Sequence, residues 1–383
     1  MEALLCVAPL KVKVEETALR TISLLNNWGT WIGNDKEHAS IEKTAEMETG
    51  SRLTYILNAP SDRITPIYRF GRKFKTIIMK RTDWTREGTN KLEGCETWYT
   101  DGSKDEEGYT GCAWTANKPN TGFYEHMSKD NTVFQAEVLG ITRCTEMLEN
   151  KTRKKRIAIF TDSQATIKAL SSNVFMSRLV LECRDKLNLL AVANIETVVG
   201  WCPGHKGIKG NEKADRLARV GGQTKKIAIG PEPWIPIPYA VNKQELRRYS
   251  SEKLKRRWEE TSECRQGKIM IGEPNIKKAK TITTMTKKEA RIAAYTYTGH
   301  APVGYHLHKM GLLDNGKCTV CPDEDETTYH ILAKCVRYTK TRREIFKCSR
   351  IEIDEVKSLR SIDIVNFMIK TEPWNKEAGV IQL

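Results

Sequence analysis

Two short runs of this chain read as β-strands that break off at an acid. The run from Glu96 to Ser103 (ETWYTDGS) joins aromatic and Thr residues suited to a half-buried strand, then meets Asp101 followed by a glycine. The run from Ile157 to Ser163 (IAIFTDS) is apolar without interruption almost to Asp162, the pattern of a central strand covered on both faces. Either run alone is most simply a strand whose terminal Asp opens a turn. Side by side, they bring Asp101 and Asp162 together at one edge of a sheet.

The surrounding pattern is that of an α/β unit from residue 94 to 222. Three strand candidates (95–102, 108–116, 121–127) precede a helix from Asn131 to Glu149 and the apolar strand at 157–162. A short helix, a longer one from Met176 to Ala193, a strand from Ile195 to Trp201 and a last helix near Asn211 complete it. A hairpin run followed by alternating helix and strand predicts a mixed sheet with helices packed on it. Residues 34–93, broken by Gly50, Pro60, Pro66, Gly71 and Gly88, read as a linker, and residues 1–33 as a helical segment. Beyond the unit come basic linker and helices at 223–289, a cysteine-bearing tail at 290–350 and a terminal stretch at 351–383.

A chain of 383 residues has room for more than one domain, and its formal net charge of +15 points to a polyanionic partner. Basic clusters at Arg69 to Lys75, Lys151 to Arg156, Arg247 to Arg257 and Lys277 to Lys288 make nucleic acid the leading one. Singly, each cluster is a solvated face. No apolar run reaches transmembrane length and none resembles a secretory leader, so no membrane partner is expected. The eleven cysteines are irregularly spaced and read as reduced thiols, which predicts an intracellular setting.

Two helices carry carboxylates where an apolar face should be. In the helix at 131–149, Val133, Ile141, Cys144 and Leu148 form the stripe that must face the sheet, and Glu137 lies in the same column. An unpaired buried carboxylate costs on the order of several kcal/mol, so it needs a cation or a proton. A glutamate at the rim of the stripe is the plainer alternative. In the final helix Asp215 sits among Ala214, Leu217 and Ala218. If Asp101, Glu137, Asp162 and Asp215 converge, their repulsion raises their pKa values unless divalent ions hold them charged. All-oxygen ligands suit Mg²⁺ or Mn²⁺, and such a site commonly holds two ions roughly 4 Å apart that clamp a phosphodiester. His205, in the loop of Gly204, Gly207 and Gly210, is either an ordinary exposed side chain or a proton carrier over the site.

These motifs (YTDGS at 99–103, FQAE at 134–137, FTDS at 160–163, PGHKG at 203–207 and NEKAD at 211–215) resemble, in order and spacing, a type I ribonuclease H. Their phrasing resembles the ribonuclease H of non-long-terminal-repeat retrotransposons. The segment from Leu5 to Leu25 is similar to the tail of such elements' reverse transcriptase, and Thr298 to His300 with the cysteine cluster is similar to their C-terminal tail. The resemblance implies a five-stranded mixed sheet and cleavage of the RNA strand of an RNA–DNA hybrid, leaving a 5′ phosphate and a 3′ hydroxyl. It implies that Asp101 bridges two metal ions, with Glu137 and Asp162 on one and Asp215 on the other. His205 would assist proton transfer or product release. Glu137 would lie near a ribose 2′-hydroxyl, with Gly102, Ser103 and Gln135 also against the nucleic acid.

Two departures bear on substrate grip. Only Ser171 to Phe175 separate the short helix after Asp162 from the next, too few for the basic protrusion of some members, and Val133 stands where many cellular members have asparagine. Basic segments elsewhere are expected to supply that grip, through the hybrid or other RNA or DNA. A reverse transcriptase's catalytic portion is not among these residues, which suits a piece of a longer polyprotein, a decayed copy or a host-adopted remnant. The rival readings are a hybrid- or RNA-binding protein without activity and a transposase or integrase, which lacks this Asp-Gly-Ser opening and this His loop.

Cys318, Cys321, His330 and Cys335, spaced C-x₂-C-x₈-H-x₄-C, have the ligand types and tight first pair of a structural zinc site. The alternative is four unligated residues around a small helical core with Leu332 and Ala333.

Overall fold

The structure is a computed structural model and describes residues 1–28, 51–118, 120–151, 155–224 and 235–371. The remaining parts of the expected linkers, of the Lys151 to Arg156 cluster and of the C-terminal tail lie outside the described residues. The chain divides into two units, Ala18–Leu246 and Met1–Thr17 with Arg247–Leu383. The expected boundaries at 33, 289 and 350 therefore do not coincide with those of the compact units.

In the larger unit, the strands are β1 (Arg63–Tyr68), β2 (Lys75–Ile78), β3 (Glu96–Lys104), β4 (Thr110–Ala116), β5 (Thr121–Met127), β6 (Arg156–Thr161), β7 (Val174–Ser177) and β8 (Glu196–Trp201). Six form one mixed sheet in the order β2-β8-β6-β3-β4-β5, with β3, β4 and β5 antiparallel and β3, β6, β8 and β2 parallel. Four helices follow the strands: α1 (Val133–Lys151), α2 (Gln164–Ser171), α3 (Arg178–Val192) and α4 (Lys209–Gln223). The alternation of β6 sends Ile157 and Ile159 to the core shared with α1 and α3, and Ala158 and Phe160 to a second core with Tyr99 and Ala214. Both faces of β6 are thus dry, as its unbroken apolar run predicts.

The sheet has six strands where five were expected, and the extra one comes from the supposed linker. β2 pairs in parallel with β8, Lys75 opposite Val198 and Ile78 opposite Trp201. A four-residue edge strand whose partner lies some 120 residues on has no local signature. Upstream of it, β1 pairs antiparallel with β7. The fully buried guanidinium of Arg184 holds this strap down by donating to the carbonyls of Arg69 (3.0 Å), Gly71 (3.1 Å) and Ser172. Asp62 accepts from the Leu179 amide (2.9 Å) and the Ser177 hydroxyl (2.6 Å) at the start of α3. The end of the second supposed linker is captured too: Ile237 donates to Pro60 (2.7 Å) and accepts from Asp62 (2.9 Å).

The smaller unit is helical around one core of Leu4, Met270, Ile292, Tyr297, Leu332, Phe367 and their neighbours. Residues 1–17 belong to it because Glu15 pairs with Lys253 (2.7 Å) and Glu16 accepts from Ser250 (2.8 Å). The helix Ser361–Thr371 contributes the fully buried Ile364, Val365, Phe367 and Met368, so residues 351–371 are part of this core and not a separate tail. The helix Lys287–Thr298 begins with a capping box in which Thr286 and Glu289 satisfy each other's amides, the pattern T-x-x-E predicts.

Candidate functional site

The acidic site follows from strand register. Thr100 on β3 pairs with Thr161 on the parallel β6, so Asp101 and Asp162 sit one step further on neighbouring strands. β3 does not stop at the acid. It runs on to Lys104, with Asp101 paired opposite Ala113 on β4. The carboxylate therefore projects from a paired strand, which fixes its position more firmly than a turn would.

Glu137 reaches the same point from α1, and Gly102 makes that possible. A Cβ at residue 102 would lie 2.7 Å from the Glu137 amide nitrogen and 2.8 Å from the Ala136 Cβ, so only glycine lets the helix approach this closely. Gly204 does the same for Asp162, because a Cβ there would meet its Oδ2 at 2.5 Å. Asp101, Glu137 and Asp162 each offer an oxygen, and these oxygens all lie within 4.8 Å of one another.

Burial then sets the electrostatics. Glu137 is 4% exposed and Asp101 is 6% exposed. Desolvation and the neighbouring acids push Asp101 up to about 8 and Glu137 well above the usual carboxylate range. Asp162 is also raised, chiefly by burial. Hydrogen bonds offset only part of this: Thr161 donates to Glu137 (2.8 Å), the Gly102 amide serves both Asp101 and Glu137, and Asn211 bonds Asp162. The trio could bind a metal ion. A divalent cation is the group that would let all three ionise together, and an all-oxygen set suits a hard one.

Asp215 stands differently from the other three. Its carboxylate is partly exposed and is gripped from one turn further along α4 by Arg219, whose Nε and Nη2 lie 3.0 and 2.8 Å from its two oxygens. Its charge still reaches Asp101 and Asp162 and adds to their repulsion. The expected inward face of this helix is real at Ala214 and Ala218, but Asp215 lies at its margin. His205 is exposed, with a left-handed φ of 51° in the loop before α4, and its charge favours the ionised form of Asp162.

Two expectations for the first turn of α1 are corrected. Val133 is 40% exposed even though its carbonyl lies against β3, where a Cβ at residue 102 would meet it at 2.9 Å. Gln135, expected against nucleic acid, is buried: its oxygen accepts from Asn131 (3.1 Å) and the Thr132 amide (3.3 Å), and its nitrogen donates to Pro236 (2.9 Å). Gly102 and Ser103 remain partly accessible beside Asp101. Thr161, Asn211 and Arg219 were not singled out from the sequence. The first two lie inside the motifs already noted, and Arg219 stands at the helical i+4 spacing from Asp215.

In the smaller unit Cys318, Cys321, His330 and Cys335 also converge, with ligand atoms within 4.8 Å of one another. The Cys318 and Cys335 sulfurs are 3.8 Å apart, with no disulfide between them. His330 is buried with neither ring nitrogen hydrogen-bonded, and burial lowers its pKa. The turn of π-helix His330–Lys334 carries it, and Arg342 caps that turn by donating to Ile331 (3.1 Å), Ser349 (2.8 Å) and Cys335. Among the described residues no carboxylate pairs with Arg342. The groups that favour its charge are the thiols of Cys335, Cys348 and Cys321.

Residues 93–223, roughly a third of the chain, match the family model described as RNase H. The match spans β3 to α4 and contains every acid of the site, so this segment is an RNase H domain. It leaves out β1 and β2.

Proposed function

We propose that the RNase H domain hydrolyses the RNA strand of RNA–DNA hybrids with two divalent cations, Mg²⁺ or Mn²⁺. The observation that carries this reading is the convergence of Asp101, Glu137 and Asp162 within 4.8 Å, where among the described residues no Lys or Arg forms an ion pair with any of them. Clustered negative charge repels a phosphate backbone, so a module that only binds nucleic acid has no use for it. The cations would activate water and stabilise the leaving oxygen. Asp101 and Asp162 hold their oxygens at adjacent strand positions, Glu137 closes the third side, and Asp215 at the margin would help to hold the second ion. Glu137 would also contact the ribose 2′-hydroxyl, the group that distinguishes RNA from DNA. His205, exposed beside Asp162, carries protons at the mouth of the site. The test is incubation of the full chain with a labelled hybrid and Mg²⁺, with a chelator control. Cleavage confined to the RNA strand and abolished by chelation is expected. An intact hybrid with tight binding would favour the silent-binder reading.

A second reading, of Cys318, Cys321, His330 and Cys335 as a structural zinc site, is supported by His330. Neither nitrogen of this buried ring has a hydrogen bond, although the Glu324 carboxylate stands 3.9 Å from Nδ1; each lost hydrogen bond costs on the order of 1–3 kcal/mol, and a metal bond would relieve one of them. The 3.8 Å sulfur separation also equals the edge of a tetrahedron with bonds of about 2.3 Å. Arg342 then balances the net negative charge of three thiolates and one Zn²⁺. Origin in a non-long-terminal-repeat retrotransposon is part of the same proposal, supported by the motif phrasing and the flanking segments. An intracellular setting is supported by eleven free thiols.

A further inference from the structure

The run from Tyr68 to Lys73 (YRFGRK), where β1 ends and the strap crosses to β2, is exposed at every residue. Tyr68 is 60% exposed and Phe70 77%. Tyr68 stands opposite Val174 on β7, so the two share one face of the ribbon, and Met176 lies on that face as well. Val174 and Met176 are exposed, whereas Phe175 on the other face is buried in the core. One exposed apolar side chain is ordinary. Three on one ribbon face, with a fourth ring two residues on, mark a surface that meets a partner.

The charge around this face says which partner. Arg72 donates to Thr76 (3.0 Å), and among the described residues no carboxylate pairs with Arg69, Arg72 or Lys73. The charges of Arg69 and Arg72 both bear on the buried Arg184 guanidinium, against the single opposing carboxylate of Asp185. Asp62 is already engaged by Ser177 and Leu179, and Glu196 by Lys75 (2.9 Å) at the far end of the strap. The backbone is fixed, because Arg184 grips the carbonyls of Arg69 and Gly71 and the Lys73 amide donates to Asn188 (2.9 Å). Met176 and Asp62 also line a cavity with Phe134, three residues before Glu137 on α1, so the surface borders the helix that carries one acid of the site. β1 itself lies outside the family match.

We propose that the β1–β7 ribbon and its continuation to Lys73 form a second binding site, for single-stranded nucleic acid. Tyr68 and Phe70 stack on unpaired bases, and Arg69, Arg72 and Lys73 hold the neighbouring phosphates. A base offers its face to a ring only where the strand is unpaired, so a duplex can use the cations of this surface but not its rings.

The test is fluorescence anisotropy of the full chain with labelled oligothymidine of about twelve nucleotides and a blunt DNA duplex of equal length. A chelator is present throughout, so the result does not depend on whether the acids bind cations. Tyr68→Ala and Phe70→Ala should each weaken oligothymidine binding about fivefold or more and leave duplex binding unchanged, while Phe70→Trp should match the native chain. The same losses are expected with oligouridine, since rings stack on the bases of RNA and DNA alike. Arg69→Gln with Arg72→Gln should lower the salt slope on the single strand by about 0.7 per lost phosphate contact. Both rings are exposed, so melting of the alanine variants should be native. Alanine variants that bind oligothymidine as the native chain does, or that lose both probes alike, would overturn the proposal. So would alanine variants that keep oligothymidine binding but lose binding to phosphatidylserine vesicles, which would make this a membrane surface.

Discussion

Asp101, Glu137 and Asp162 meet at the edge of a sheet, while Cys318, Cys321, His330 and Cys335 meet inside a helical core. Both groups crowd ligand atoms within 4.8 Å, but what each lacks is different. The acids have hydrogen bonds from Thr161, Gly102 and Asn211 and still suffer from their mutual charge. The cysteine cluster suffers from missing partners at His330. The acidic site keeps one side accessible through Asp162, His205 and Asp215, as a site that must admit substrate requires. The cysteine site is nearly sealed, with only Cys321 partly accessible, as a site that only holds its surroundings together allows.

The comparison can be broken most sharply at the acids. Asp162→Asn should lower hybrid cleavage on the order of a thousandfold or more while leaving melting of the metal-free protein unchanged or slightly higher, since a repelling charge is removed. Retained cleavage would take Asp162 out of the site. Cys335→Ser should do the reverse. Metal analysis of the native full chain should find about one zinc, the variant should lose it, and melting of the helical unit should fall on the order of 10 °C with several kcal/mol of lost ligation. A native chain free of zinc would end that reading.

A pH series sharpens the contrast further. The acids have folded pKa values above their unfolded ones, so their contribution to stability is full below about pH 4 and is lost as pH rises through their raised values, about 8 for Asp101. Metal-free protein should therefore melt lower with each step across that window, and Mg²⁺ should restore more at its upper end. A melting curve flat across the window, with and without Mg²⁺, would contradict the raised values. The smallest effect concerns substrate grip. Lys280, Lys287, Lys288 and Arg291 are exposed and have no ion-pair partner among the described residues. Lys287→Glu with Lys288→Glu should weaken hybrid binding a few-fold and flatten its salt dependence by up to about one unit of slope per lost phosphate contact. Unchanged binding would locate the grip elsewhere.

Much of the acidic site was legible because its cause is periodic. Alternation in β3 and β6 aligned two aspartates, and the 3.6-residue repeat of α1 turned Glu137 inward. The same repeat misled at Val133, since periodicity ranks the faces of a helix and does not say that a side chain in its first turn is covered; Val133 is exposed although its carbonyl abuts β3. Gln135 looked available because its motif is polar, but its amide is consumed in capping α1 and anchoring Pro236. β2 was invisible because a short edge strand owes its existence to a distant partner. The cysteine spacing predicted proximity, whereas the orphaned His330 nitrogens needed coordinates.

β2 matters beyond its four residues. Cutting the protein at residue 93, where the family match begins, would strip this strand from β8 and bare the amides and carbonyls of Val198 to Trp201 along an apolar rim. Such a rim is adhesive towards any extended polypeptide, including another copy of itself. The stretch that matches the family model is thus narrower than the sheet whose edge β2 covers.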